Sequence, residues 1–245
     1  MEIMKLTSAL SLKRSVDAGT TDQRRVVQDI ISTVCEKGDE AIRDYTEKFD
    51  GIRLADFAVS QDELDEAFSA MDNEMLQILQ EAANNITKFH EKQKRNSWMH
   101  AEETGTILGQ KLTPLDSVGL YVPGGKAAYP SSVFMNVLPA KVAGVKRIVM
   151  VCPPSADGTL PQSVLVAASI AGVTEIYKVG GAQAIAALAY GTETIAKVDK
   201  ITGPGNIYVA LAKREVYGDV DIDMIAGPSE IAILADETAF ADEVA

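Results

Sequence analysis

Three glycine-rich segments in the second half of the chain have the composition of ligand-binding turns. They are Tyr121-Val122-Pro123-Gly124-Gly125-Lys126, Val179-Gly180-Gly181-Ala182-Gln183 and Thr202-Gly203-Pro204-Gly205-Asn206. Glycines let the backbone approach a ligand closely, and the free N–H groups at the start of a following helix attract anions. The segments therefore predict a nucleotide or phosphate site. The alternative is that these glycines only allow tight turns between strands and helices.

Polar side chains among these glycines are the candidates for ligand recognition. They are Tyr121, Gln183 and Asn206, although Asn206 is equally suited to cap the helix that follows it. A fourth candidate, Ser229, precedes the last predicted strand, but no G-x-S-x-G sequence surrounds it, which disfavours a hydrolase nucleophile. Neither G-x-G-x-x-G nor G-x-x-x-x-G-K-[ST] occurs, so a conventional dinucleotide or P-loop fingerprint is absent.

The chain contains two histidines, His90 and His100, and both lie outside the glycine-rich half. No cysteine or pair of carboxylates accompanies them at a spacing typical of a metal site, so we predict no metal site there. Neither is an obvious general base. The residues by themselves indicate a nucleotide-binding α/β module without a visible catalytic group.

The elements that must position these turns alternate between apolar strands and helices from about residue 115 onward. Predicted strands are 117–122, 147–152, 175–179, 200–202 and 230–234, and predicted helices are 131–143, 161–171, 182–190 and 207–216. Continuously apolar strands are typical of sheets buried on both faces, and the alternation indicates parallel βαβ units. In such sheets ligands bind outside the carboxyl ends of the strands, where the glycine-rich turns fall.

The first part of the chain is rich in helical patterns. They predict a helix that starts after Thr21-Asp22 and stops at Gly38, and a second that follows Asp39 and ends before Asp50-Gly51. Two more are predicted after the capping box that starts at Ser60 and over 72–94. The apolar stripes of these helices are expected to face inward. The stripes include Phe49, Met75 and Phe89.

Composition bounds the class of protein. The 245 residues carry 35 acidic and 23 basic side chains, a net charge of −12, and 47% are apolar. This is ordinary globular composition, and its acidity argues against a nucleic-acid-binding face. No apolar run is long enough to cross a membrane, and residues 1–15 do not resemble a signal peptide. We expect a reduced, cytoplasmic chain in which Cys35 and Cys152 are small buried hydrophobes.

Long strings of this sequence resemble histidinol dehydrogenases. They cover 118–126, 179–192, 197–206 and 223–230, together with Lys37-Gly38-Asp39-Glu40-Ala41 and Phe49-Asp50 in the first part. The resemblance extends over essentially the whole chain. It implies NAD-dependent oxidation of L-histidinol to L-histidine in two steps through an aldehyde, by zinc-dependent homodimers whose chains share active sites.

The resemblance also implies a fold and roles for particular residues. Tyr121, Gln183 and Asn206 match the family's NAD-contacting residues, and Ser229 matches a substrate-contacting serine. The expected fold is α/β, an incomplete Rossmann-like parallel sheet with helices on both faces, preceded by a helix-rich region. We expect that region to span 1–114 as part of an incomplete domain. The NAD-binding domain is expected over 115–228, and the start of a return to the first domain over 229–245.

The 245 residues contain no counterpart of the family's zinc ligands or of its Glu-His acid–base pair. We therefore assign no catalytic residue and no metal ligand, and expect a chain inactive on its own. In the family, later chain returns to pack with the N-terminal region, so the resemblance also implies exposed apolar surface there. A missing general base alone removes roughly 10²–10⁴-fold in rate.

Two alternatives remain open. One is a non-catalytic nucleotide-binding or interaction module that uses the cofactor fold. The other is a reductase with Cys152 as nucleophile, which we disfavour because no helix N-terminus or basic neighbour in Cys152-Pro153-Pro154 would activate the thiol.

Overall fold

The structure, a computed structural model, describes residues 20–124, 128–225, 235–236, 238–240 and 242. Four helices come first, followed by a two-stranded hairpin and then alternating strands and helices. The helices are α1 (Thr21–Lys37), α2 (Asp39–Asp50), α3 (Gln61–Ser69) and α4 (Asn73–Glu91), and the hairpin is β1 (Trp98–Ala101) with β2 (Ile107–Gln110). The alternating part is β3 (Ser117–Tyr121), α5 (Pro130–Ala143), β4 (Arg147–Val151), α6 (Gln162–Ala171), β5 (Glu175–Tyr177), α7 (Gly181–Tyr190), β6 (Lys200–Thr202), α8 (Ile207–Val216) and β7 (Asp221–Ile222).

Local capping signals determine where the first helices begin and end. Thr20 starts α1 and Ser60 starts α3, each through a capping box in which the side chain accepts from the third helical N–H and receives a reciprocal bond. Gly38 separates α1 from α2, and Gly51 ends α2 in the left-handed conformation. These bounds agree with the predicted helices to within two residues, except that α4 ends at Glu91, three residues before its predicted end.

The central sheet is parallel throughout, with the strand order β5-β4-β3-β6-β7. Leu120 of β3 pairs with Met150 of β4 on one side and with Thr202 of β6 on the other. The prediction of an α/β parallel sheet is confirmed. β3, β4 and β5 end one or two residues earlier than predicted, because the chain leaves the sheet while its side chains are still buried. The strand predicted at 230–234 lies outside the described residues.

Helices cover both faces of the sheet, as predicted. Val149 and Val151 point to a core shared with α1, α2, α7 and α8. Ile148 and Met150 point to the opposite core, shared with α3, α4, α5 and α6. The first four helices thus pack on the helices of the parallel sheet, two on each side. The domain boundary expected near residue 114 stays a prediction.

Several expected burial patterns are wrong. Phe49, Met75 and Phe89, predicted to face inward, are exposed, as is Cys35, which we expected to be buried. These residues lie on α1, α2 and α4. The buried stripe of each of these helices is narrower than its apolar residues suggest, since the helix packs on one neighbouring layer only. Cys152 is buried, as predicted.

The β1–β2 hairpin was not predicted from the sequence. Trp98, Met99, Ile107 and Leu108 are all more than half exposed, so apolar residues occupy both faces of the hairpin and the strands show no alternating pattern. Across the described ranges, no helix is long and apolar enough to cross a membrane.

Candidate functional site

A cleft opens at the carboxyl ends of the central strands. It has a volume of about 800 Å³ and lies where the strand order reverses, since β4 is on one side of β3 and β6 on the other. This switch point is the usual ligand site of an open α/β sheet. The loops after β3 and β4 and the N-termini of α7 and α8 form one wall, and α1 and α2 form the other.

Three of the four predicted site residues line this cleft together. Tyr121 comes from the end of β3, Gln183 from the first turn of α7, and Asn206 from the start of α8. The fourth, Ser229, lies outside the described residues, as do Gly125 and Lys126 of the first glycine-rich segment. The fold therefore brings together residues that are up to 85 positions apart in the sequence.

Tyr121 joins the β3 loop to the start of α7. Its side chain is buried, and its hydroxyl accepts a hydrogen bond of 3.1 Å from the backbone N–H of Gly181. Burial, the largest influence, raises the pKa of this phenol well above its usual range. The hydroxyl therefore keeps its proton at neutral pH and retains one O–H to donate.

Gln183 is the most unusual polar group of the site. The residue is 1% exposed, and among the residues that the structure describes neither its amide oxygen Oε1 nor its amide nitrogen Nε2 has a hydrogen-bond partner. A Cβ added at Gly181 would collide with this amide, so the side chain lies over the first residue of its own helix. A buried amide without a partner costs about 1–3 kcal/mol. A polar ligand in the cleft would satisfy it.

The two helices that start at the cleft differ in how their N-termini are capped. At α8, Asn206 Oδ1 accepts from the backbone N–H groups of Tyr208 at 3.0 Å and Val209 at 3.2 Å. The expectation that Asn206 is an N-cap is thus confirmed, and its side chain also lines the cleft. At α7 the capping position is Gly180, which supplies no side chain. The first turn of α7 therefore offers N–H groups to an anion in the cleft.

Glycines allow the loops around the cleft to approach one another. A Cβ at Gly124 or at Gly180 would collide with Pro153, so the loops after β3, β4 and β5 meet at this proline. Gly203 has a φ of +111°, and a Cβ there would run into the backbone of Tyr121. At these positions the close packing of the loops leaves no room for a side chain. The glycines are therefore not by themselves evidence of ligand binding.

A buried lysine holds the loop after β6 in place. Lys213 of α8 is 2% exposed, and its ammonium donates to the carbonyl of Gly203 at 3.0 Å and pairs with the carboxylate of Asp223. The other carboxylate oxygen of Asp223 accepts from Gly203 N–H at 2.9 Å. These contacts position the turn that leads to Asn206. Sequence reasoning missed Lys213, because a lysine near the end of a helix usually interacts with solvent.

Asp50 is a further residue of the cleft that sequence reasoning did not identify. It is the last residue of α2 and faces the cleft from the wall opposite the sheet. Its Oδ2 atom is shielded from solvent and has no hydrogen-bond partner in the described ranges. Burial raises the pKa of this carboxyl to about 6. The only signal in the sequence was the Phe49-Asp50 pair within the family resemblance.

The remaining candidates do not contribute to this site. His90 lies on α4 and His100 on β1, and neither lines the cleft. Cys152 is buried, and its burial raises the pKa of the thiol to about 12, so the reductase alternative gains no support. Within the part of the chain that the structure describes, no group of three or more His, Cys, Asp or Glu residues could hold a metal ion.

Comparisons with known proteins agree with this architecture. The model of the histidinol dehydrogenase family matches residues 13–245. This chain belongs to the histidinol dehydrogenase family. The histidinol dehydrogenase of Geobacillus kaustophilus is 65% identical over 245 residues, which cover all of this chain and 58% of that protein. The Bacillus subtilis histidinol dehydrogenase is 61% identical over 247 residues, again covering 58% of that protein.

A solved histidinol dehydrogenase has the same fold. The crystal structure of the enzyme from Elizabethkingia anophelis matches with a TM-score of 0.84 and 40% identity, and the match covers 89% of this chain and 50% of that one. The resemblance described from the sequence is therefore confirmed. The chain spans just over half the length of the histidinol dehydrogenases from Geobacillus and Bacillus.

Proposed function

We propose that this chain is the cofactor-binding part of a histidinol dehydrogenase and that its cleft binds NAD. The observation that carries the proposal is Gln183, a fully buried amide without a partner among the described residues, in the first turn of α7, where the capping residue Gly180 has no side chain. A dinucleotide offers both kinds of group that this corner lacks, an anion for the helix N-terminus and hydrogen-bonding atoms for the amide. The cleft volume of about 800 Å³ lies in the range typical of ligand pockets.

The residues of the cleft have distinct tasks in this proposal. The first turn of α7 holds the negatively charged diphosphate, and the Gln183 amide and the Tyr121 hydroxyl orient the ligand through hydrogen bonds. The amide nitrogen of Asn206 is a further donor, because the amide oxygen is occupied by the α8 cap. When bound, NAD supplies the hydride acceptor for the oxidation of an alcohol and then of an aldehyde.

Apolar side chains complete the cleft opposite the sheet. Val26 and Ile30 of α1 face Pro153 and Pro154 of the loop after β4. Such walls exclude water from a bound ring and strengthen the hydrogen bonds beside it. The helices of the first part thus contribute directly to the cofactor site.

Other properties of the family enter as proposals for the protein as a whole. We propose L-histidinol as substrate, Ser229 as one of its contacts, a homodimeric assembly and a cytoplasmic location. The described residues do not fit a zinc site, since they contain no suitable group of ligands, and we derive no step through zinc.

Titration calorimetry with NAD tests the proposed site. Gln183→Ala and Asn206→Ser are each expected to weaken binding about tenfold, because each removes hydrogen bonds worth about 1 kcal/mol or more. Serine at 206 still caps α8, so its effect reports the lost amide and not a damaged helix. Gln80→Ala, on the exposed face of α4, serves as the control and should bind NAD as the unchanged chain does. Unchanged affinity in both site variants would refute the site.

An assay of NADH formation with L-histidinol, NAD and added zinc addresses turnover. We propose that these 245 residues bind NAD without oxidising histidinol, because they include no counterpart of the family's zinc ligands or acid–base pair. A folded chain without turnover supports this view. Zinc-dependent turnover would contradict it, and His90 and His100 would then be the first residues to substitute.

A further inference from the structure

Asp50 faces the cleft in a setting where a carboxylate is disfavoured. It is the last residue of α2, and its Oδ2 atom is shielded from solvent and accepts no hydrogen bond. No ion pair among the described residues includes it, and the ionisable groups that interact with it, the Tyr121 phenol and the Cys152 thiol, are neutral at pH 7. A carboxylate also interacts unfavourably with the negative end of a helix dipole. Within the described part of the chain, Asp50 thus has no stabilising partner.

The cleft is consequently polarised. The wall formed by α7 presents the positive end of a helix whose capping residue, Gly180, has no side chain and whose first N–H, that of Gly181, donates to the Tyr121 hydroxyl. The wall formed by α2 presents the negative end of a helix together with the Asp50 carboxylate. An anionic group of the ligand is attracted to the first wall and repelled by the second. The second wall suits groups that donate hydrogen bonds, such as hydroxyls.

We propose that Asp50 is a specificity-determining residue, whose carboxylate accepts hydrogen bonds from the hydroxyls of an unphosphorylated ribose and excludes a ribose that carries a phosphate. This inference rests on the proposed function, since it assumes that the cleft binds a dinucleotide. The chemistry is general, because a carboxylate can accept from both hydroxyls of a vicinal diol and repels a phosphate monoester in the same place. It assigns Asp50 to the selection of NAD over NADP.

The test is a calorimetric titration of the full 245-residue chain with NAD and, separately, with NADP. The unchanged chain is expected to bind NAD at least tenfold more tightly than NADP. Asp50→Asn, which keeps the shape but removes the charge, should reduce this ratio at least tenfold, by weakening NAD binding and strengthening NADP binding. Asp50→Ser should shift the ratio in the same direction. Asp29→Asn, an exposed neighbour on α1 outside the cleft, controls for the change in net charge.

The outcomes separate this inference from the proposed function. If the unchanged chain binds NAD and both Asp50 variants keep its NAD-to-NADP ratio, the inference is wrong while the proposed function stands. If the unchanged chain binds neither dinucleotide, both fail. ADP-ribose, which has both riboses but no nicotinamide cation, should lose affinity in Asp50→Asn by the same factor as NAD. No loss with ADP-ribose would mean that Asp50 faces the cation, and the ribose assignment would be overturned.

Discussion

Gln183→Met is expected to stabilise the free chain and to weaken its binding of NAD. Methionine has nearly the length and flexibility of glutamine but no amide, so it fills the same space without a buried polar group. The Gln183 amide oxygen and nitrogen both lack partners in the free chain. Removing them relieves a desolvation cost of about 1–3 kcal/mol, so the free energy of unfolding should rise by that amount.

The same substitution removes the hydrogen bonds that we assign to the ligand. One or two neutral hydrogen bonds contribute about 0.5–1.5 kcal/mol each, so NAD affinity should fall about tenfold. A rise in the free energy of unfolding together with a fall in NAD affinity would identify Gln183 as a residue that serves binding and not the stability of the fold. A purely structural glutamine would lose stability when its amide is removed.

Gln162 provides a matched control for this experiment. It begins α6 outside the cleft, and its amide nitrogen donates to the carbonyl of Ala67 at 2.9 Å. Gln162→Met should therefore destabilise the chain by about 1 kcal/mol and leave NAD binding unchanged. Urea unfolding and calorimetry measure the two quantities. Destabilisation of similar size in Gln183→Met would refute the argument from the unpartnered amide.

Three further predictions concern the surroundings of the cleft. Asp50→Asn should raise the free energy of unfolding above that of the unchanged chain, and this difference should grow to about 1–2 kcal/mol as pH rises from 4 to 7, as measured by urea unfolding. Lys213→Met should lower the free energy of unfolding by about 2–3 kcal/mol, because the Asp223 carboxylate and the Gly203 carbonyl lose their buried ammonium partner. A thiol reagent should modify Cys35 in the native chain and Cys152 only after unfolding.

The sign of the Asp50 prediction follows from its raised pKa. Between the ordinary value of 3.8 and the folded value of about 6, the folded chain binds more protons than the unfolded chain, so stability falls as pH rises through this window. The full difference corresponds to about 3 kcal/mol, and solvent access to this half-buried carboxyl reduces it to about 1–2 kcal/mol. A constant difference between variant and unchanged chain from pH 4 to 7 would contradict the assignment.

The predictions for Lys213 and for the two cysteines can each be tested against a comparison within the same chain. For Lys213, the comparison is Lys200→Met, which removes a more exposed ion pair with Asp221 and should cost less than about 1 kcal/mol. Equal effects of the two variants would refute the role given to burial. Rapid modification of Cys152 in the native chain would show that the β4 loop opens.

The sequence predicted the existence of most strands and helices, but the residues at which they begin and end were predicted correctly for fewer of them. The bounds of β6 and α8 match the prediction because Gly203 to Asn206 separate them with unambiguous turn and cap residues. The strands before the other turns were predicted too long. Val122, Cys152 and Val179 are apolar and buried although they lie beyond the strands, and a hydrophobic pattern cannot distinguish the two situations.

The candidate site was predictable only in part, because its walls come from distant parts of the chain. Tyr121, Gln183 and Asn206 were found through glycine-rich segments and the family resemblance, and the fold places them together. Asp50 was missed because an aspartate at a helix end near a glycine is commonplace in sequence. Its burial and its position opposite the start of α7 arise only when α2 packs against α1 and α7.

The central claim is that the cleft beside Gln183 binds NAD, and amide chemical-shift mapping by NMR tests it most directly. On addition of NAD to the isotopically labelled chain, the account predicts the largest shifts at Gly181, Ala182 and Gln183, with further shifts at Tyr121 and Asn206. The absence of shifts at the start of α7, or shifts centred on the β1–β2 hairpin, would contradict it.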